Sequence, residues 1–240
     1  MTKRRLTAAE VEYNEKRASV LSRVDAQYVA DAPFVFANRI AVTAALSRIE
    51  LFKMVQDIPG AIVECGVYKG NSLMLYMQLS MILEPYAINR SIIGFDTFGG
   101  FASIDAEQDP ADINESMFSD TDETLIQDMI DANDLIRPVN RIPRCEIVKG
   151  DILETVPAFV KTRPDLVVAM LILDTDLYKS TKVALETFLP YMPKGAIVVL
   201  DEVAYRNFPG ETQALRDVLD LNKIELKRLP FDSSVGYFRV

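Results

Sequence analysis

Five short apolar runs, each delivering an acidic residue at or just past its end and followed by a helix-forming stretch, constrain this chain more than any other feature. The first is Ala61-Ile62-Val63-Glu64-Cys65, leading into Gly66. The second, residues 91–95, leads into Asp96; the third, 145–149, into Gly150-Asp151. The fourth, 166–173, leads into Asp174-Thr175-Asp176, and the fifth, 196–200, into Asp201-Glu202. Helices are expected between them at 71–83, 155–161 and 180–188, and after them at 212–221. Strands alternating with helices predict a mostly parallel, doubly wound sheet with helices on both faces, an α/β Rossmann-like fold. Two closing strands, 224–228 and 235–240, bring the sheet to seven and form a hairpin or antiparallel edge.

Two regions lie outside that alternation. Residues 1–57 read as a helical extension: 9–30 contains no Gly or Pro, and in 36–55 Ile40, Ala44, Leu51 and Val55 recur at helical spacing. The turn Asp57-Ile58-Pro59-Gly60 closes it and opens the main domain, 58–240. Residues 99–144 are rich in Asp, Glu, Asn and Pro, hold one expected helix near 122–131, and read as an insertion or lid. The N-terminal helices carry Phe34, Phe36, Ile40, Leu46, Leu51 and Phe52, more apolar surface than a free extension exposes. Part of it is expected to pack between subunits of a homo-oligomer, or else on the chain's own sheet.

Composition removes several classes of function. The net charge is −9, which repels a phosphate backbone. The basic groups are short, such as Lys3-Arg4-Arg5 and Lys227-Arg228, so no nucleic-acid partner is expected. The longest apolar run is the eight residues 166–173, against roughly 20 for a bilayer span. No membrane partner is expected, and no apolar signal segment follows the charged start. The two cysteines, Cys65 and Cys145, make no disulfide framework, and a reducing cytoplasm is the natural compartment. There is no histidine. Acid–base chemistry falls to Asp, Glu, Lys, Tyr or Cys, and a metal site built from carboxylates favours a hard cation.

In doubly wound sheets ligands bind where the strands end and the connections reverse. After strand one, Gly66 and Gly70 allow close backbone approach, and Asn71 and Ser72 are placed to cap the next helix, whose N-terminus favours an anionic group. The G-x-x-x-G spacing lacks the third glycine of a dinucleotide site, which disfavours a nicotinamide enzyme. An ordinary strand–turn–helix is the alternative at this position. Asp96 is well placed for ribose hydroxyls. Asp174, Asp176, Asp201 and Glu202 come from neighbouring strands. Carboxylates gathered in one cleft repel unless a divalent cation or a shared proton relieves them, and both remain open.

The segments 59–70, Pro-Gly-Ala-Ile-Val-Glu-Cys-Gly-Val-Tyr-Lys-Gly, and 173–181, Leu-Asp-Thr-Asp-Leu-Tyr-Lys-Ser-Thr, resemble the macrocin O-methyltransferase family. These are class I S-adenosylmethionine-dependent enzymes that methylate sugar hydroxyls. Gly94-Phe95-Asp96-Thr97-Phe98, Asp201-Glu202 and Pro209-Gly210-Glu211 look closest to the branch containing the calicheamicin sugar methyltransferase. The resemblance runs from about residue 35 to the C-terminus. It implies S-adenosylmethionine as cofactor, with Glu64, Gly66, Tyr68, Gly70, Asn71 and Ser72 on its methionine and ribose side. It places Asp96, Thr97 and Phe98 at the ribose, Asp151 at the adenine amino group and Asp174 beside the cofactor. It further implies Mg²⁺ on Asp174, Asp201 and Glu202, Asp176 as the catalytic base, and a small sugar-like hydroxyl acceptor. Many members have a second aspartate where this chain has Glu202, which is one methylene longer. A phenol or catechol acceptor, or a cofactor-binding protein without catalysis, are the alternatives.

Overall fold

The computed structural model describes residues 7–240; the basic group Lys3-Arg4-Arg5 lies outside them. The chain divides into two units, one ending at Ala44 and the other spanning Ala45–Val240. The first carries α1 (Ala8–Leu21), α2 (Ala26–Asp31), α3 (Pro33–Phe36) and the start of α4 (Arg39–Lys53). The uninterrupted helix expected over 9–30 is broken. Asp25 accepts the Tyr28 N–H at 2.8 Å and so starts a new helix, while Thr7 and Glu10 cap α1 reciprocally.

The second unit is the seven-stranded sheet. Its elements are β1 (Ala61–Cys65), α5 (Asn71–Leu83), β2 (Ile92–Asp96), α6 (Glu123–Ile136), β3 (Cys145–Lys149), α7 (Ile152–Thr162) and β4 (Val168–Leu173). Then come α8 (Tyr178–Phe188), β5 (Ile197–Leu200), α9 (Gly210–Val218), β6 (Lys227–Arg228) and β7 (Gly236–Arg239). The strand order is β3-β2-β1-β4-β5-β7-β6, parallel except for β7, which runs antiparallel to β5 and β6. The connections reverse between β1 and β4, so the binding crevice is expected there.

Strand periodicity explains why these runs are apolar throughout. Alternate side chains face opposite layers, and both layers are covered. Ile62, Ile92, Met170 and Ile197 pack with Leu51, Phe52, Leu73, Tyr76 and Met77. Val63, Cys65, Phe95, Leu171 and Leu200 pack with Val156, Leu185, Phe188 and Leu215 on the other face. Cys65 and Cys145 are free and buried. Among the described residues no helix is long and apolar enough to cross a membrane.

Two boundaries differ from expectation for identifiable reasons. α7 starts at Ile152 because the Asp151 side chain accepts the Leu153 N–H at 2.9 Å and caps it there. The closing hairpin is real, but its first strand contracts to Lys227–Arg228.

Candidate active site

Register builds the site. Cys65 pairs with Phe95 and with Leu173, and Leu173 pairs with Leu200, so these four residues form one row across the sheet. The next residue on each strand is Asp96, Gly66, Asp174 and Asp201, which therefore share one lip. The ladder continues one step into that lip. Gly66 N–H donates to the Phe95 carbonyl, Asp174 N–H to that of Cys65 and Asp201 N–H to that of Leu173, at 2.9–3.0 Å. A cavity of about 340 Å³ opens above it, lined among others by Gly66, Tyr68, Asn71, Ser72, Asp96, Thr97, Asp151, Asp174, Asp176, Asp201 and Glu202. Most of the residues expected at the site thus meet in one cavity.

On the β1–β3 side the carboxylates that line the cavity are already engaged. Asp96 Oδ2 accepts the N–H groups of Val67 and Tyr68 at 2.7 and 2.8 Å, and Oδ1 accepts that of Phe98 at 2.7 Å. A carboxylate offers about four acceptor sites, so one remains for a hydroxyl rather than two. Asp151 caps α7 and accepts the Ser103 hydroxyl at 2.5 Å, so the helix-cap role holds for this acid. Ser72 does not cap α5. Its hydroxyl donates to Glu64 Oε1, and the N-cap is Gly70, with no side chain bonding the first turn. The α5 amides are therefore left for an anionic group.

Three expected positions, Glu64, Phe98 and Gly70, do not line the cavity. Glu64 has no exposed surface and does not line the cavity. Its Oε2 has no partner, and burial pushes its carboxyl up to about 7, against the Ser72 hydrogen bond and Arg48, which pull it down. Phe98 turns into the hydrophobic core at a left-handed φ of 51°, and only its N–H serves the site. The glycines answer to the protein itself. A Cβ on Gly66 would lie 1.9 Å from the Asp174 carbonyl oxygen, and one on Gly70 would press on Ile126 at 3.2 Å.

On the β4–β5 side the carboxylates face one another. Asp176 sits at φ 60°. Burial raises its pKa to about 6 despite a hydrogen bond with Glu202, and Asp201 and Asp109 add to the rise. Burial and the repulsion of Asp176 push Glu202 up to about 8. The two carboxyls share a hydrogen bond and titrate as a pair. Glu202 Oε2 is buried without a partner. Burial and neighbouring acids also raise Asp174 and Asp201.

Three residues at this edge were not foreseen as site residues. Arg48, on α4, brings a guanidinium nitrogen 3.8 Å from Asp174 and 3.6 Å from Asp201. Burial works against its charge, but Tyr76 and the acids around it keep its pKa raised. Nothing in an amphipathic helix marks one arginine as facing a cleft 13 residues before the first strand. Glu211, fully buried on α9, accepts backbone N–H groups from both acidic loops. Asp109, in the insertion, accepts the Tyr178 N–H at 2.8 Å and so caps α8 from outside. The adjacent Gly210-Glu211 was the available signal for Glu211; Asp109 had none.

The insertion forms one wall. Tyr68 O–H and Lys69 both donate to Asp120 at 2.6 and 2.7 Å, and the Phe118 ring lies edge-on to Tyr68 and Phe101. A divalent cation fits the acidic edge in donor chemistry, since every ligand would be a hard oxygen and Glu202 Oε2 is unpartnered. Its donors are not drawn together: among the described residues no group of three acids converges as metal ligands, and Arg48 spans two of the three.

Comparisons with known proteins bear on the family and the fold. The macrocin-O-methyltransferase (TylF) family model matches residues 17–240. A structure described as CalS11, calicheamicin methyltransferase, superimposes with a TM-score of 0.89 at 31% identity, covering 98% of this chain and 94% of that one. An apo structure of CalS11, described as a TDP-rhamnose 3'-O-methyltransferase in calicheamicin biosynthesis, gives 0.83 at 30% identity over 98% and 96%. The O-methyltransferase NovP shares the fold at 0.65 and 18% identity, over 82% and 79%. No protein of curated function matches the sequence.

Proposed function

The chain belongs to the macrocin-O-methyltransferase family, and from that premise we propose that it transfers the methyl group of S-adenosylmethionine to a hydroxyl of a small, sugar-like acceptor, with Asp176 as base. The observation carrying this reading is that one cavity joins the Asp96–Ser72 side to the Asp174–Glu202 side. Donor and acceptor can therefore meet over the reversal between β1 and β4.

The reactive carbon comes with the sulfonium, so the protein positions and deprotonates. The uncapped N-terminus of α5 suits the donor's carboxylate. The remaining acceptor site on Asp96 suits a ribose hydroxyl. The acid-lined wall favours a sulfonium cation over its neutral product. Placing a hydroxyl in line with the methyl group supplies roughly 7–11 kcal/mol of barrier lowering. Asp176, on the buried acidic edge beside Glu202, accepts the hydroxyl proton as the oxygen–carbon bond forms and the carbon–sulfur bond breaks. Asp174, Asp201 and Glu202 are the residues that would hold Mg²⁺. When bound, that ion would acidify and orient the acceptor hydroxyl. Gly100, Phe101, Ala102 and Phe118 of the insertion line the cavity, and a cytoplasmic setting suits the buried free thiols.

The exposed apolar side chains Phe34, Val35 and Ile40 support a homo-oligomer, and a monomeric mass by light scattering would reject it. The function itself is tested with methyl-labelled S-adenosylmethionine and a panel of TDP-rhamnose, free sugars, glycosides and catechols. Label on a sugar hydroxyl is the expected result. Label on catechol alone moves the acceptor class, and cofactor binding with no transfer to any acceptor removes catalysis.

A further inference from the structure

One carboxylate between the two acidic loops is not used by the reaction above. Glu211 is the second residue of α9 and has no exposed surface. Its Oε1 accepts the N–H groups of Thr175 at 3.2 Å and Asp176 at 3.3 Å, and its Oε2 accepts that of Glu202 at 3.2 Å. One side chain thus reaches the loop after β4 and the loop after β5. Three N–H donors converge on the two oxygens of one carboxyl, whereas a side-chain amide would turn its NH₂ toward one of them. A neutral apolar residue would leave all three donors without this partner, the Thr175 N–H in a buried position.

The turn it grips is a strained one. Asp176 at φ 60° holds a left-handed conformation that a residue with a Cβ keeps only where its surroundings enforce it. The surroundings do so from two sides. Asp109 takes the Tyr178 N–H at 2.8 Å. Gly210 lets α9 approach so closely that a Cβ there would stand 2.6 Å from Tyr178 N, 2.7 Å from Asp109 Oδ1 and 2.9 Å from the Asp176 carbonyl oxygen. A fifth acid beside Asp174, Asp176, Asp201 and Glu202 adds repulsion to an edge already crowded with it, so bulk packing does not account for a glutamate here.

We propose that Glu211 is the positioning residue of the transfer reaction, tying the Asp176 turn to the Glu202 loop so that the base and the acid facing it keep one separation. The inference rests on Asp176 being the base. It is tested with Glu211→Ala and Glu211→Gln by amide hydrogen exchange, calorimetry with S-adenosylhomocysteine, and kinetics with TDP-rhamnose as the acceptor probe. In Glu211→Ala the amides of Thr175, Asp176 and Glu202 should lose protection while those of β4 and β5 keep it. The turnover number should fall on the order of 100-fold, the scale of a misplacement near 1 Å, with cofactor affinity unchanged. Glu211→Gln keeps one oxygen for Thr175 and Asp176 but turns an NH₂ toward the Glu202 N–H. It should restore protection at the first two amides only and give intermediate turnover. If Glu211→Ala does not fold, the Gln variant decides alone through the Glu202 amide. Protection retained at all three amides overturns the proposal, as does a rise in cofactor KM with turnover unchanged. Absence of transfer by the wild-type enzyme would sink the assigned reaction instead, and the amide readout would still judge the clamp.

Discussion

The two halves of the cavity handle buried charge in opposite ways. On the β1–β3 side Asp96 takes three backbone N–H groups and Asp151 a helix amide and a hydroxyl. On the β4–β5 side Asp174, Asp176, Asp201 and Glu202 face one another, with Arg48 as a partial counter-charge at 3.6–3.8 Å. Satisfied carboxylates make a rigid, preorganised template for a ligand. Unsatisfied ones retain an appetite for protons and cations, which is what deprotonating a hydroxyl requires. Under the proposed function the contrast divides recognition from reaction, and substitutions on the two sides should fail differently.

The largest effect is expected from Asp176→Asn. It keeps the side-chain shape but removes the proton acceptor, so the turnover number should drop roughly 10²–10⁴-fold, the span of general-base loss. Calorimetry with S-adenosylhomocysteine should show unchanged affinity. Full turnover, measured where chemistry limits the rate, would move the base elsewhere. Next comes Asp96→Ala, on the other side. It strips the acceptor from three loop amides and from the ribose, so cofactor affinity should fall roughly 5–150-fold, the equivalent of about 1–3 kcal/mol for a charged hydrogen bond. If turnover at saturating cofactor fell as far as in Asp176→Asn, the division between the halves would not hold.

A third substitution bears on what relieves the acidic edge. Arg48 and a divalent cation would answer the same two aspartates. Arg48→Gln should therefore raise Mn²⁺ affinity severalfold, read by electron paramagnetic resonance without any acceptor present. Equal or weaker Mn²⁺ binding would mean that the cation, if it binds, does not share Arg48's partners. In the wild type, exhaustive chelation should halt turnover and leave cofactor binding intact. Turnover that survives chelation would assign the relief to Arg48 and to protons shared among the acids.

How far the sequence revealed this division follows from what is local in it. Strand ends are local: an apolar run followed by Asp names its own terminus. The parallel sheet and the row Asp96–Gly66–Asp174–Asp201 therefore follow from short segments. What the acids contact is not local. Phe98 follows Asp96 by two residues, yet its left-handed φ sends the ring into the core. Gly66 reads as room for a ligand, yet it is the Asp174 carbonyl of the neighbouring strand's loop that requires it. Arg48 and Asp109 reach the edge from an amphipathic helix and an irregular insertion, where no periodicity points at a cleft. The break after α1 depended on Asp25 acting as a cap, a choice between helix interior and helix start that a polar stretch leaves open.

The smallest effect concerns stability against pH, and it weighs the two halves together. Folding raises the pKa of Glu64 to about 7, of Asp176 to about 6 and of Glu202 to about 8, chiefly through burial. These acids ionise near 4 in an unfolded chain. Between those limits the folded protein holds more protons than the unfolded one, so stability falls as pH rises. The contribution is whole below about pH 4 and is lost as pH climbs through 6 to 8, the reverse of an acid stabilised by a salt bridge. Thermal unfolding of the cofactor-free protein should show Tm decreasing from pH 5 to pH 8. Glu64→Gln and Glu202→Gln should each flatten a different part of that slope, the first around pH 7 and the second around pH 8. A divalent cation that settles on the acidic edge should recover Tm at pH 8 in the wild type and in Glu64→Gln, but less in Glu202→Gln. A Tm that rises from pH 5 to pH 8 would mean that these carboxylates are already compensated, and the contrast between the two halves would then lie in shape alone.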